Sequence, residues 1–73
     1  MKKIVLENII HREEKRILIS FPYVKGDPYD IAVRKLPGRF WSSTYGKWHI
    51  PLTADYYKHV SQCFGGLDCE IVD

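Results

Sequence analysis

The sequence predicts a small single α+β domain in the order β-β-α-β-β-α-β, with two antiparallel hairpins and two helices packed on one side. Three observations carry this. The chain has 73 residues, enough for one core and no second. It is 45% apolar and 14% aromatic, a bulky supply for a chain that buries only about 60% of its unfolded surface. Short apolar runs are bounded by Pro and Gly, with two helical patterns between them.

The first strand covers residues 3–11, where Ile4, Val5, Ile9 and Ile10 are β-branched. Residues 11–15 are charged and lack an apolar anchor, so they read as a turn. Residues 16–21 alternate, with Ile17, Ile19 and Phe21 on one face and Arg16, Leu18 and Ser20 on the other. Pro22 ends this strand because it cannot donate to a ladder. Asp27 suits a helix N-cap, Pro28 the first helical position and Asp30 the positive end of the dipole. That helix extends to about Leu36, where Pro37-Gly38 stops it.

Residues 39–50 form the second hairpin. A turn over Ser43-Thr44-Tyr45-Gly46 sets Ser42 opposite Lys47, Trp41 opposite Trp48, and Phe40 opposite His49. The two tryptophans then share a face and read as core, whereas Phe40 and Tyr45 read as exposed. Thr53 is the expected N-cap of a helix over 54–64, with Tyr56, Val60 and Cys63 inward and Gly65-Gly66 ending it in a left-handed conformation. A last strand over 67–72 turns Leu67, Cys69 and Ile71 inward.

Several function classes lose support at this level. Two cysteines are too few for the disulfide framework of a small secreted domain, and no stretch approaches the ~18 apolar residues of a membrane span. A reduced, cytoplasmic setting is expected. Cys63 and His59 share a helix face, but no ligand pair has zinc-motif spacing, and Cys63 reads as a small inward hydrophobe. The acidic residues form no general acid/base pair, and Gly65-Gly66 follows a helix instead of preceding one. Neither a catalytic activity nor a metal or cofactor is expected.

Charge is unevenly distributed. Residues 1–50 hold ten Lys/Arg against five Asp/Glu, while residues 51–73 hold Lys58 against Asp55, Asp68, Glu70 and Asp73. Such asymmetry suits a basic surface that meets a polyanion. The candidate contacts are Arg34 and Lys35 at the helix end, Arg39 at the hairpin start, and Lys47 on its return strand. Ser42, Ser43, Thr44 and Tyr45 stand between them as hydrogen-bond donors to phosphate. A two-stranded ribbon of this kind can enter the DNA major groove. Arg34 and Lys35 also complement a helix C-terminus, and Lys15 and Arg16 could extend the basic surface. A protein-interaction module using Phe40, Tyr45 and Tyr23, or an edge strand, is the alternative.

The run Leu36-Pro37-Gly38-Arg39-Phe40-Trp41-Ser42, followed by Trp48-His49-Ile50-Pro51, resembles a known family. It is similar to the small N-terminal domain of many Bacteroidetes tyrosine recombinases (phage-type integrases), which precedes their core-binding and catalytic domains. Phe21-Pro22-Tyr23 matches a further piece of that pattern, and the likeness spans residues 4–64. It implies an accessory module that binds double-stranded DNA and helps position a recombinase during DNA integration. The nucleophilic tyrosine and catalytic arginines of such enzymes belong to another domain. The family has a basic residue directly before the first tryptophan; here Phe40 stands there and Arg39 lies one place earlier. A more distant similarity, to the accessory domain of eukaryotic annealing helicases, also implies DNA.

Overall fold

A computed structural model describes residues 2–22 and 24–73. Five strands form one sheet: β1 (Lys2–His11), β2 (Glu14–Ser20), β3 (Phe40–Ser42), β4 (Lys47–Pro51) and β5 (Cys69–Val72), in the order β3-β4-β2-β1-β5. Helix α1 (Pro28–Val33) lies between β2 and β3, and α2 (Tyr56–Phe64) between β4 and β5. This is the α+β architecture and element order that the sequence predicts. Tyr23, a proposed aromatic anchor, lies outside the described residues.

The first hairpin is tighter than the charge pattern indicated. Only Arg12 and Glu13 form its loop, both with positive φ (52° and 67°), so His11 pairs with Glu14 and Ile10 with Lys15. Two left-handed residues give a turn whose twist matches the flanking strands, at a local steric cost because neither is glycine. Charged residues expected in a loop therefore become the last rung of the ladder.

Strand β2 is central, antiparallel to β1 on one side and to β4 on the other. Ile17 and Ile19 join Ile4, Leu6 and Ile50 on the face covered by the helices, where Val33, Leu36, Val60 and Phe64 complete the core. Leu18, on the opposite face, is also buried between the register positions of Glu7 and His49. Strand β5 runs parallel to β1, pairing Lys2 with Cys69 and Ile4 with Ile71.

Both helices are shorter than periodicity indicated. In α1, Asp27 caps as expected: its carboxylate accepts the Asp30 N–H at 2.9 Å, and this bond foremost holds the Asp27 pKa below its usual range. The Asp30 carboxylate accepts the Gly26 N–H at 2.8 Å, so the two acids satisfy donors on either side of the helix start. Beyond Val33 the chain tightens, with Lys35 N–H donating to Ala32 and Leu36 N–H to Val33, which still delivers Leu36 to the core. In α2 the start moves from residue 54 to Tyr56, and Asp55 takes the cap position without a side-chain bond. Thr53 contributes its carbonyl to the preceding turn, accepting the Tyr56 N–H. Gly65 is right-handed at φ −63°, contrary to the left-handed ending expected; a Cβ there would stand 2.7 Å from the Ser61 carbonyl oxygen. Close approach, not handedness, requires that glycine.

Candidate nucleic-acid interface

The second hairpin forms with the expected register: Phe40 opposite His49, Trp41 opposite Trp48, Ser42 opposite Lys47. Two devices close its turn. Gly46 adopts φ +65° and donates its N–H to the Ser42 carbonyl at 2.7 Å, and the Ser42 hydroxyl accepts the Tyr45 N–H at 3.2 Å. Ser42 is only 3% exposed, so its hydroxyl is not presented at the surface, which corrects its assignment as a phosphate donor.

β3 is an edge strand, and among the described residues nothing continues the sheet beyond it. Phe40 is 64% exposed, and Trp41 and Tyr45 are each 45% exposed. The tryptophans meet edge to face at 5.5 Å, but Trp41 is not the core residue that its pairing suggested. Trp48 is the inner member, half-buried, with its indole N–H enclosed and unpartnered among the described residues.

The remaining candidate contacts divide between surfaces. Arg34 lies on the helix side, its Nε donating to Asp30 at 2.9 Å and its guanidinium 5.3 Å from the Trp48 ring centroid. That is a built position and not a free cation, though its side chain remains 46% exposed. Lys35, Arg39, Ser43 and Thr44 are exposed. Lys47 is half-buried on the helix-free face, and Ser43, Thr44 and Tyr45 occupy the hairpin tip. Among the described residues, Lys35, Arg39 and Lys47 have no ion-pair partner. Glu70 lies in β5 and Asp68 and Asp73 flank it, at the far edge of the sheet from β3. Lys2 and Lys3 on β1 lie beside β5, so the charge asymmetry along the chain becomes only in part an asymmetry across the sheet.

Sequence reasoning missed a polar cluster on the helix-free face. Arg16 is only 6% exposed; its Nε donates to His49 Nδ1 and a second guanidinium nitrogen to the Gly38 carbonyl, both at 2.9 Å. Its guanidinium lies 5.6 Å from the Phe40 ring centroid, and the His11 and His49 rings are 4.6 Å apart. Burial foremost, then the positive charge of Arg16, lowers the His49 pKa and keeps the ring neutral, as a lone pair facing a guanidinium requires. Arg16 thus ties β2 to β4 and to the loop before β3, and does not extend the basic surface.

Burial raises the Cys63 and Cys69 pKa values, so both are protonated thiols at neutral pH. Among the described residues, no three His, Cys, Asp or Glu side chains are grouped to hold a metal ion, and no helix is long and apolar enough to cross a membrane. Comparison with protein-family models, curated proteins and solved structures finds no match to the chain.

Proposed function

We propose that this chain is an accessory DNA-binding module that meets double-stranded DNA through its second hairpin. One observation carries the reading: the hairpin combines exposed Phe40, Trp41 and Tyr45 with the unpaired cations Arg39 and Lys47, at the sheet edge opposite the acidic β5. Cations beside hydroxyls and aromatic rings contact a nucleic-acid backbone and its bases without needing a deep pocket. Lys35, Arg39 and Lys47 are the phosphate contacts, Arg34 adds charge from the helix side, and Ser43 and Thr44 supply hydroxyls at the tip. The resemblance to recombinase N-terminal domains supports a place beside recombinase domains, where the module adds affinity and register and leaves strand cleavage to other residues.

The exposed rings also favour a second reading, an aromatic anchor for a protein partner. Salt separates the two. Fluorescence anisotropy of a labelled duplex, read against salt concentration, should show a steep loss of affinity. Each cation on a phosphate contributes about 0.9 to the log–log slope, so joint Lys35→Gln, Arg39→Gln and Lys47→Gln should flatten it by about 2–3. Binding indifferent to salt, or a slope unchanged in the triple variant, refutes this interface.

A further inference from the structure

The helix-free face carries a cleft of about 240 Å³ between the turn of the first hairpin and the start of β3. Its lining includes His11, Arg12, Glu14, Arg16, Phe40 and His49. Its size falls below the ~300–1,000 Å³ of sites that enclose a drug-sized ligand. Its composition is that of a site for one flat ring. Phe40 is 64% exposed, with its ring 29° from the His49 plane at 6.3 Å and the Arg16 guanidinium 5.6 Å from its centroid. The half-buried His11 imidazole adds a second ring surface, and His49, only 2% exposed, backs it at 4.6 Å.

The charged groups narrow the ligand further. Arg16 is committed to His49, Gly38 and the underside of the cleft, so it fixes the walls instead of offering a free cation. Glu14, whose side chain is 73% exposed and 3.7 Å from Arg16, places a carboxylate at the rim. A phosphate inside the cleft meets that negative charge, whereas the amino and imino donors of a nucleobase are matched by it. Arg12, in the tight turn, is exposed and also lines the cleft.

Resting on the DNA reading above, we propose that this cleft receives a single unstacked nucleobase, laid against Phe40, with Glu14 at the base edge and Arg12 on a flanking phosphate. The hairpin then serves paired DNA while the cleft serves an unpaired nucleotide. Stacking on one aromatic side chain changes affinity by about 5- to 150-fold.

The test compares a mixed-sequence single-stranded dodecamer with the duplex of the same sequence, using anisotropy for affinity and the imidazole NMR signals of His11 and His49 for position. Phe40→Leu keeps the bulk and removes the π-face; Phe40→Trp keeps a π-face. The expected result is movement of both imidazole signals with the single strand, and a loss of at least ~5-fold in single-strand affinity for Phe40→Leu but not for Phe40→Trp, exceeding any loss for the duplex. Single-strand binding that spares the imidazoles, or that is equal in Phe40→Leu, overturns the cleft assignment while duplex binding leaves the hairpin interface standing. If neither form of DNA binds to the folded protein, both fall.

Discussion

Replacing Arg16 by Met tests the buried cluster that holds the second hairpin to the rest of the sheet. The guanidinium donates two bonds of 2.9 Å from a nearly inaccessible position. Hydrogen bonds from a charged group contribute about 1.5–3 kcal/mol each, so roughly 3–6 kcal/mol is lost in gross terms. Removing a buried charge returns part of that, since its desolvation cost disappears and Met fills much of the aliphatic volume. His49 Nδ1 and the Gly38 carbonyl are left without these donors, and we expect a net destabilisation of about 2–4 kcal/mol. A domain of this length holds only about 4–11 kcal/mol in all, at ~0.05–0.15 kcal/mol per residue. Urea unfolding followed by tryptophan fluorescence reads the change directly.

The same cluster sets a pH dependence with a definite sign. The folded-state His49 pKa is lowered, first by burial and then by Arg16 and His11, so the unfolded chain takes up the proton first. The stability from neutral His49 is therefore complete above about pH 6.5 and is lost as pH falls toward the folded-state value, by at most ~1.4 kcal/mol per pH unit. In Arg16→Met one depressing charge is gone, the folded pKa rises and the acid-side loss shrinks. An Arg16→Met protein as stable as its parent, with an unchanged pH profile, would refute this account of the cluster.

Gly38→Ala should cost more than Gly46→Ala. Both have positive φ (70° and 65°), but a Cβ at Gly38 meets Pro51 ring carbons at 2.8 Å while Gly46 faces open space. Left-handed strain of about 1–2 kcal/mol applies to each, so equal melting temperatures would contradict the close approach. Asp27→Ala should lose about 0.5–2 kcal/mol in urea unfolding through its cap on Asp30 N–H; no loss would mean that α1 does not depend on that cap. Ser42→Ala should cost about 0.5–1.5 kcal/mol of stability and leave DNA affinity within about 2-fold. A larger affinity loss with an intact fold would return the hydroxyl to the interface.

Local patterns carried the element order because each element is marked by its own chemistry. Pro28 after Asp27 announces α1, and the alternation of Ile17, Ile19 and Phe21 announces β2. The second hairpin's register was legible because a turn ending at Gly46 forces the pairing of Trp41 with Trp48. What remained hidden depends on which strands become neighbours. Arg16 reads as a solvated strand-end cation until β4 is placed beside β2, which brings His49 within bonding distance. Trp41 reads as core until β3 proves to be an edge. Ser42 looks like a donor to phosphate because its sequence neighbours are exposed hydroxyls, and only the folded hairpin shows that it is 3% exposed, with its oxygen accepting the Tyr45 N–H.

The most direct measurement of the central claim is an amide NMR titration of the labelled chain with a short mixed-sequence duplex, at about 50 mM and again at about 200 mM salt. Shifts concentrated between Arg34 and Lys47, fading at the higher salt, are the predicted result. No shifts at the lower salt with the fold intact, or shifts gathered on β5 at the opposite edge, would contradict the proposed interface.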